Sequence, residues 1–373
     1  MPLMRSTARH QDRLGPYELV RRLGSGGMAE VHEAVRVGAH GFEKRVAIKF
    51  MLPHLADDPR LVAMFCDEAK VHARLSHPNL LQVIDFGEQD GRLYLVLELV
   101  EGLSVQELCF RMLSRGQPVE LGAALYITQE VLAALEYAHS ACDESSRPLH
   151  LVHRDVSPSN ILLGVAGEVK LGDFGIAAAA DIDARTAPGE IKGKIGYVSP
   201  EQALGLPLDG RSDLFSVATV LAEMLMGKPL FDADSDLEVL EQVHSGDLRR
   251  LTTAADRVPE DVMLFLQGAL KTLPAQRFES ASHMLWAVRE LARRHRKAMN
   301  AYSFATWLSD IGVAPLKSDV FARPAPSIAD ALRAAAWDDA QSEAPTQVAE
   351  PRTPAATTPA ELHHAMVHGK RRY

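Results

Sequence analysis

Two motifs in the middle of the chain decide the fold: HRDVSPSN at residues 153–160 and, after a short apolar strand, DFG at residues 173–175. Their polar side chains include Asp155, Asn160 and Asp173. Carboxylate and amide oxygens are hard donors of the kind that Mg²⁺ prefers. A turn rich in Asp and Asn by chance would have to contain both signatures in the right order. The two motifs therefore predict a site that holds a metal ion.

The spacing of these oxygen donors suits one kind of chemistry, phosphoryl transfer. This reaction needs Mg²⁺ to neutralise the phosphate charge, and Asn160 and Asp173 can hold the ion. Asp155 can accept a hydrogen bond from an incoming hydroxyl group and direct that group towards the phosphorus. These three side chains are therefore the candidates for a reaction centre.

A glycine-rich segment near the N-terminus, LGSGGMAEV at residues 23–31, joins two predicted strands. A dinucleotide-binding fingerprint would lead into a helix instead. A strand–loop–strand unit can fold over a polyphosphate, because glycines let backbone N–H groups approach the phosphate oxygens closely. Taken alone, a plain hairpin turn is the better explanation of this loop.

Two charged residues after the loop favour a nucleotide site over a plain hairpin turn. The stretch VAIK at residues 46–49 places Lys49 at the end of an apolar strand, and the predicted helix of residues 59–75 carries Glu68. Such a glutamate could hold the lysine against phosphate by an ion pair. Taken singly, Lys49 would be a solvated strand end and Glu68 an exposed helix position. The loop, the lysine and the glutamate in this order predict a nucleotide site.

Hydrophobic periodicity divides the chain into a sheet-rich and a helix-rich part. The segment before Gly102 predicts a small sheet with one helix, and helical spacing dominates beyond it except in a strand-rich segment at residues 151–173. The predicted helices of the second part cover residues 121–141, 211–226, 237–244, 259–270 and 281–294. A sheet-rich piece followed by a helix-rich piece predicts an α+β protein with two lobes.

The composition excludes several classes of protein. The 373 residues are 47% hydrophobic and 24% charged, which is typical of a globular protein and excludes a collagenous or wholly disordered chain. A net charge of −9 argues against a general nucleic-acid binder. The sequence shows no secretory leader, lipidation motif or membrane-spanning stretch, and its three cysteines lack metal-ligand spacing. We expect a cytoplasmic enzyme without nucleic-acid or membrane partners.

Ala, Pro and Thr dominate the end of the chain. This composition predicts that residues 295–373 form a mostly disordered tail. An apolar stripe at the start of this tail is expected to pack back on the helical part. The stripe consists of Tyr302, Phe304, Trp307, Leu308 and Ile311.

Together the motifs resemble those of the eukaryotic-type (Hanks-type) bacterial serine/threonine protein kinases, and the insertion that includes residues 147–150 resembles a subgroup common in myxobacteria. The resemblance implies a kinase domain at residues 17–294, with an N-lobe at residues 17–100 and a C-lobe at residues 101–294. It implies the bilobal protein-kinase fold, with ATP and Mg²⁺ in the cleft between the lobes. The implied activity is phosphorylation of serine and threonine in protein substrates, including autophosphorylation.

The resemblance also implies roles for individual residues. Lys49 would contact the α- and β-phosphates and Glu68 would pair with it, while Asn160 and Asp173 would bind Mg²⁺. Asp155 would be the catalytic aspartate. Further ATP contacts would come from the glycine loop, the adenine pocket and the segment between the lobes: Leu23, Gly24, Ser25, Gly26, Gly27, Val31, Ala47, Glu98, Val100 and Leu162.

Three further residues match structural elements of the kinase family. Glu201 stands in SPE, at residues 199–201, where the family usually has Ala-Pro-Glu, and Arg277 is placed to pair with it. Asp213 resembles the buried aspartate that supports the catalytic loop. The resemblance therefore implies that these residues organise the C-lobe around the reaction centre.

Two positions depart from the family pattern. Ser157 stands where serine/threonine kinases usually have a lysine, two residues after the catalytic Asp155. Lys194 stands where they usually have a threonine, just before the Ala-Pro-Glu element. We hypothesise that Lys194 replaces the missing lysine and reaches the γ-phosphate from the other side of Asp155. The alternative is a solvated loop lysine in a weak or inactive kinase.

An arginine directly before the catalytic aspartate, here Arg154, implies control by phosphorylation of the activation segment. Between Asp173 and Gly193, Thr186 is the only residue with a hydroxyl side chain. We therefore predict Thr186 as the activating phosphosite. The alternative is a tolerated threonine in a flexible loop.

Three other functions compete with a serine/threonine kinase. A pseudokinase that serves as a scaffold is disfavoured because the lysine, glutamate, asparagine and both aspartates of the site are present together. A small-molecule kinase is disfavoured by the Ser-Pro-Glu element and Arg277. Tyrosine specificity is disfavoured because no arginine follows Asp155 inside the catalytic loop, and because Pro158 is present.

Overall fold

The computed structural model describes residues 13–174 and 194–313. All of them belong to one compact unit, Met1–Leu316, and the second unit, Lys317–Tyr373, lies outside the described residues. Strands dominate the N-terminal part of the described chain and helices the C-terminal part. This architecture confirms the predicted α+β fold with two lobes.

The N-lobe is built on an antiparallel sheet of six strands in the order β1-β2-β3-β4-β6-β5. Its strands are β1 (Arg13–Leu14), β2 (Tyr17–Ser25), β3 (Ala29–Val37), β4 (Glu43–Met51), β5 (Val83–Gln89) and β6 (Arg92–Glu98). The central strand β4 is buried on both faces, so its apolar residues divide between two clusters by the two-residue repeat of a strand. Val46 and Ile48 lie in one cluster, and Ala47 and Met51 in the other. Because Lys49 lies two residues from both Ala47 and Met51, its side chain is on the same face of β4 as theirs. A helix covers that face.

That helix is α1 (Pro59–His72), within the predicted range 59–75. Asp58 begins it, accepting a hydrogen bond from the Arg60 amide, and proline occupies the first helical position. The buried residues follow helical spacing and so form one stripe: Phe65, Glu68, Ala69 and His72. Phe65 and Ala69 join the same cluster as Ala47. The Glu68 carboxylate and the His72 imidazole therefore lie in the apolar interface between the sheet and the helix.

The C-lobe is mainly helical. Its helices are α2 (Val105–Ser114), α3 (Leu121–His139), α4 (Pro200–Ala203), α5 (Gly210–Met226), α6 (Asp236–Ser245), α7 (Arg249–Thr252), α8 (Glu260–Ala269), α9 (Ala281–Arg294) and α10 (Ala301–Asp310). Helix α5 is buried along almost its whole length, begins at the capping residue Asp209 and ends at Gly227 in a left-handed conformation. A small sheet of β7 (Gly102–Ser104), β8 (Ile161–Gly164) and β9 (Val169–Leu171) carries the two central motifs.

The helical part continues beyond residue 294, where the sequence places the start of a mostly disordered tail. Helix α10 packs on α3, and the Tyr126 and Phe304 rings lie 4.9 Å apart. Phe304 and Leu308 are fully buried, whereas Tyr302 is 56% exposed. The apolar stripe therefore folds as predicted, except at Tyr302, and residues 295–313 belong to the folded C-lobe. Residues 314–373 lie outside the described residues.

A helix that spans a bilayer needs about 20 mostly apolar residues. Within residues 13–174 and 194–313, no helix combines the necessary length and apolar character.

Candidate active site

A buried carboxylate holds the loop of the HRD motif. Asp213, in the first turn of α5, accepts the backbone N–H groups of His153 and Arg154 at 2.8 Å each. Its third bond is to Nε2 of His139, at 2.7 Å. Burial acts to raise the pKa of Asp213, but the bonds from His139 and His153 outweigh it and lower the pKa. The ionised carboxylate therefore fixes the backbone just before Asp155.

Two residues of the site other than glycine have left-handed backbones. Arg154 has a φ of 67° and Asp173 a φ of 52°. Such conformations cost roughly 1 kcal/mol or more and persist only where surrounding bonds hold them. Arg154 is held by Asp213 through its N–H and by Gln202, whose Nε2 donates to the Arg154 carbonyl oxygen at 2.8 Å. Both strained residues orient the aspartate side chains on which the candidate chemistry depends.

Lys49 links the sheet, α1 and the DFG motif. Its Nζ lies 2.8 Å from Oε1 of Glu68 and 2.8 Å from Oδ1 of Asp173. Burial acts to lower the pKa of Lys49, but the two carboxylates outweigh it and raise the pKa above its usual value. Burial likewise acts to raise the pKa of Asp173, and Lys49 lowers it to about 2. Lys49 and Asp173 are therefore both ionised at neutral pH.

Asp155 is held through one of its two carboxylate oxygens. Oδ2 accepts hydrogen bonds from Lys194 Nζ at 2.7 Å and from Asn160 Nδ2 at 2.9 Å. In the described part of the chain Oδ1 has no hydrogen bond, and it can accept one from a hydroxyl group. Ser157 is 1% exposed and its Oγ lies 3.1 Å from Oγ of Ser159. The cation beside Asp155 therefore comes from position 194 and not from position 157.

The two candidate metal ligands lie side by side because β8 and β9 form a hairpin. The amide of Gly172 donates to the carbonyl oxygen of Asn160 at 2.9 Å, one residue before Asp173. Asn160 directs its Nδ2 to the backbone oxygen and Oδ2 of Asp155. Its Oδ1 accepts longer bonds, from Ser159 Oγ at 3.3 Å and from Lys194 Nζ at 3.5 Å, and is the oxygen that Asn160 can offer to an ion. One carboxylate and one amide oxygen fit Mg²⁺, which takes most of its other ligands from phosphates and water.

A protein-only metal cage is a different arrangement. Among the described residues, no three His, Cys, Asp or Glu side chains come close enough to hold an ion by themselves. An ion at Asn160 and Asp173 would therefore depend on oxygens of a bound phosphate. This dependence matches the chemistry of a nucleotide that enters together with its metal.

The glycine loop lies between β2 and β3, with the Gly26 amide donating to the carbonyl oxygen of Ala29 at 2.8 Å. A Cβ atom at Gly24 would meet no atom within 4 Å, and one at Gly26 would meet only that carbonyl oxygen, at 4.0 Å. Neither glycine has a positive φ. Neither backbone conformation nor internal packing therefore requires glycine at these positions. The same hairpin carries Leu23, Ser25 and Gly27.

The side chains predicted to surround adenine form one apolar cluster. Ala47 is 7% exposed and lies on β4 directly opposite Leu97 of β6, a residue of the same cluster that was not among the predicted contacts. Val31, Val100 and Leu162 pack against the same cluster. The structure thus brings together residues from both lobes that the sequence assigned to one pocket.

Glu98, also predicted at this pocket, connects the lobes through its side chain. Its Oε1 accepts hydrogen bonds from Lys170 Nζ and from the Gln82 amide, both at 2.8 Å. Lys170 lies on β9 of the small sheet. These bonds fix the segment between the lobes without using the carbonyl group of Glu98.

The predicted ion pair between Glu201 and Arg277 is buried. Two nitrogens of Arg277 donate to the two carboxylate oxygens of Glu201 at 2.7 Å each. Ser212 donates a third bond at 2.6 Å, and the guanidinium lies 4.9 Å from the centre of the Phe215 ring. Burial acts to raise the pKa of Glu201, but the bonds from Arg277 and Ser212 lower it. The pair anchors the Ser-Pro-Glu element to α5. Thr186 lies outside the described residues.

Sequence reasoning missed several partners that organise this site. His139 and Gln202 support the catalytic loop, and the Tyr197 hydroxyl donates to the buried carboxylate of Glu223. Glu223 and Asp213 both interrupt the apolar helix α5. A charged residue in such a helix indicates a buried partner, although the spacing along the chain does not name that partner.

The fold has two lobes, and its site brings Lys49, Glu68 and Asp173 together. The sequence model of the family described as "Protein kinase domain" matches residues 17–287, more than half of the chain. The chain therefore belongs to the protein kinase family, and the resemblance stated from the motifs is confirmed. Proteins of this family bind ATP, use a divalent metal and act on protein substrates.

Among the curated relatives, one is named a tyrosine-protein kinase and others are named serine/threonine-protein kinases. The chain is 36% identical over 294 residues to the tyrosine-protein kinase MasK of Myxococcus xanthus, covering 79% of this chain and 46% of MasK. It is 32% identical over 274 residues to the serine/threonine-protein kinase PrkC of Bacillus subtilis, covering 72% and 39%. It is 39% identical over 232 residues to the serine/threonine-protein kinase PknA of Mycobacterium tuberculosis, covering 60% and 50%. The chain thus spans half or less of each relative's length.

Solved structures show the same fold. The kinase domain of PknI from Mycobacterium tuberculosis superimposes with a TM-score of 0.56 at 31% identity, covering 75% of this chain and 96% of that domain. A variant of that domain with a cysteine replaced by alanine gives a TM-score of 0.56 at 29% identity, covering 74% and 96%. The likeness extends over nearly the whole of the PknI kinase domain.

Proposed function

We propose that this protein is an ATP-dependent serine/threonine protein kinase that also phosphorylates itself. The observation that carries the proposal is the double contact of Lys49 Nζ, at 2.8 Å from both Glu68 and Asp173. This contact connects α1, the sheet and the DFG motif in one arrangement, the one that phosphoryl transfer in protein kinases requires. A scaffold that only binds partners has no need of it.

Each side chain of the site has a proposed task. Lys49 holds the α- and β-phosphates, and Glu68 keeps it in place. Asn160 and Asp173 hold Mg²⁺, which when bound neutralises phosphate charge. Asp155 accepts the proton of the substrate hydroxyl at Oδ1, since Oδ2 is engaged by Lys194 and Asn160. The task of Asp155 is mainly orientation, because the transition state is loose.

The nucleotide itself is proposed to lie between the glycine loop and the apolar cluster. The open space at Gly24 and Gly26 supports close approach of phosphates to the backbone. Stacking of adenine between Ala47 and Leu162 is supported by their common cluster. Backbone groups of Glu98 and Val100 would bond the adenine edge, and Leu23, Ser25, Gly27 and Val31 would complete the cover.

Lys194 is proposed to supply the charge that serine/threonine kinases usually take from a lysine at the position of Ser157. It is 44% exposed, so its ammonium group can turn from Asp155 towards a γ-phosphate. Ser157 is buried and bonded to Ser159, so position 157 offers no such charge. The contact of Lys194 with Asp155 at 2.7 Å supports this task, because it places the charge beside the proposed catalytic carboxylate.

Thr186 is proposed as the activating phosphosite. Nε of Arg154 is buried and has no hydrogen-bond partner among the described residues. A buried guanidinium nitrogen without an acceptor is unfavourable, and a phosphate oxygen would satisfy it. Mass spectrometry of active protein should find phosphate at Thr186. Active protein without phosphate at this residue contradicts the assignment.

Tyrosine phosphorylation is the second candidate, because one relative is named a tyrosine kinase. The catalytic loop favours serine and threonine, since Pro158 begins a short 3₁₀ turn at Pro158–Asn160 and no arginine follows Asp155 in the loop. Acid hydrolysis of autophosphorylated protein and separation of the phosphoamino acids decides between them. Phosphoserine or phosphothreonine supports the proposal, and phosphotyrosine alone contradicts it.

The proposal includes the setting in which the protein works. We place it in the cytoplasm, acting on proteins without nucleic-acid or membrane partners. The net charge of −9 supports the absence of a nucleic-acid partner. The free thiols of the described cysteines, one of them exposed, support a reducing compartment. Fractionation of cells that express the tagged chain tests the compartment.

A further inference from the structure

His72 is a polar residue in an apolar environment next to the site. It lies on the buried stripe of α1 and is 4% exposed. Its ring meets the edge of the Phe174 ring at 4.8 Å between centres, and Phe174 in turn packs on His153 at 4.5 Å. An aliphatic side chain could fill this position by packing alone.

One nitrogen of His72 holds the backbone of the DFG motif. Nε2 accepts the N–H of Phe174 at 3.0 Å, so the ring proton resides on Nδ1. Burial lowers the pKa of His72 to about 3, and the ring is therefore neutral. Nδ1 is itself buried and has no partner in the described part of the chain. Packing does not explain a buried donor without an acceptor, whereas the bond at Nε2 gives the imidazole a task.

The peptide that His72 holds is the one that follows Asp173. Phe174 is 2% exposed, so water does not replace the histidine as the acceptor for its N–H group. Asp173 has the strained φ of 52°, and a strained backbone keeps its conformation only while its neighbours are held. The bond from Phe174 to His72 thus helps to fix the direction of the Asp173 carboxylate.

Helix α1 reaches Asp173 by two routes. Glu68 and His72 are four residues apart and lie on the same face of the helix. Glu68 acts on the Asp173 carboxylate through Lys49, with 2.8 Å on each side. His72 acts on the backbone one residue later. A displacement of α1 would therefore break the side-chain route and the backbone route together.

We infer that His72 is a positioning residue that couples the place of α1 to the orientation of Asp173 through the Phe174 amide. The inference rests on the proposed function and deepens it, because it names a residue that sets the metal-binding geometry without touching substrate or metal. The hydrogen-bond acceptor matters in this role, whereas the ring shape matters in a role of packing only.

Two variants separate the acceptor from the packing. His72→Leu keeps an apolar group of similar size without an acceptor, and His72→Gln keeps an acceptor oxygen at about the reach of Nε2. His77→Leu is the matched control, because His77 also accepts a backbone amide, that of Asn79 at 3.1 Å, but lies outside the site. Thermal unfolding of each variant shows that the fold is kept.

The measurements are hydrogen exchange of the Phe174 amide by NMR, the Mg²⁺ concentration for half-maximal binding of a non-hydrolysable ATP analogue, and kinase turnover. Loss of one hydrogen bond corresponds to about a tenfold change. His72→Leu should speed the exchange and raise the required Mg²⁺ by about tenfold each, and His72→Gln should restore most of both. His77→Leu should change neither.

The outcomes keep this inference apart from the proposed function. Unchanged exchange and Mg²⁺ requirement in His72→Leu, or a His72→Gln variant as impaired as His72→Leu, overturns the inference. If the wild type binds the analogue but transfers no phosphate, the proposed function fails, and binding and exchange still decide on His72. If no analogue binds at all, the exchange rates of the three variants decide alone.

Discussion

Replacement of Lys194 by methionine tests most directly which residue supplies the positive charge beside the γ-phosphate. The substitution removes the ammonium group that lies 2.7 Å from Oδ2 of Asp155 and keeps much of the aliphatic chain. Asp155 retains its bond from Asn160 Nδ2 at 2.9 Å. The carboxylate therefore stays in place, and the change falls on the charge offered to the γ-phosphate.

The size of the effect follows from distance and exposure. A unit charge about 4 Å from a phosphate charge is worth roughly 4 kcal/mol at an effective dielectric near 20, and roughly 1 kcal/mol in bulk water. Lys194 is 44% exposed, so the free energy of its interaction with the phosphate lies between these limits. At about 1.4 kcal/mol per factor of ten, Lys194→Met should lower kcat about a hundredfold. KM for ATP should change little, because Lys49 is untouched.

The assay is steady-state phosphorylation of a generic protein substrate with Mg²⁺ and labelled ATP. Lys297→Met is the matched control, because Lys297 is 45% exposed and lies 2.6 Å from Glu120, and neither residue belongs to the site. Lys194→Arg should keep most of the activity, since it keeps the charge. Turnover of Lys194→Met within twofold of the wild type refutes the idea that this lysine supplies the missing charge.

Two further predictions concern stability, and both are checked by urea unfolding followed by fluorescence. Arg277→Met leaves the Glu201 carboxylate buried without its partner and should lower the free energy of unfolding by about 3–5 kcal/mol. Arg293→Met, at an exposed ion pair, should cost far less, and equal costs would contradict the buried pair. Phe304→Ala, at a fully buried position of α10, should cost about 3–5 kcal/mol, and a cost under about 1 kcal/mol would mean that α10 does not belong to the folded C-lobe.

Local patterns were enough to predict much of the fold. Helix α9 has the predicted bounds, and α1, α3, α5, α6 and α8 differ from prediction by one to three residues at one or both ends. Amphipathic spacing and end signals act over a few residues, so a sequence shows them directly. Helix α2 and the strand β7 before it were not predicted, although Ser104 caps the helix by accepting the Glu107 amide.

The tail was harder to predict because its ordered part depends on distant residues. Composition indicated disorder from residue 295, yet α10 is held by contacts with α3. Asn300 and Ser303 form a capping box at the start of α10, and this local signal could have been found. Tertiary burial of Phe304 and Leu308 could be expected only as a general packing of the stripe on the C-lobe.

The candidate site likewise contains residues that local motifs predict and residues that only the fold brings together. Lys49, Asp155, Asn160 and Asp173 stand in motifs whose order the sequence displays, and the structure brings them together. Their roles remain predictions. The support of the catalytic loop by Asp213 was expected from the family resemblance, and the structure shows it. The bond of His72 joins residues 102 positions apart in the chain, and no spacing rule identifies such a partner before the fold is known.

The most direct measurement of the central claim is phosphate transfer by the wild type and by Asp155→Asn, with Mg²⁺ and labelled ATP. Asparagine keeps the size of Asp155 and removes the carboxylate that accepts the hydroxyl proton, an effect worth roughly a hundredfold or more. We predict phosphate on serine or threonine in the wild type and a fall of at least about a hundredfold in the variant. Equal incorporation by both proteins, or none by the wild type on itself and on a protein substrate, would contradict the claim that this site is a protein kinase centre.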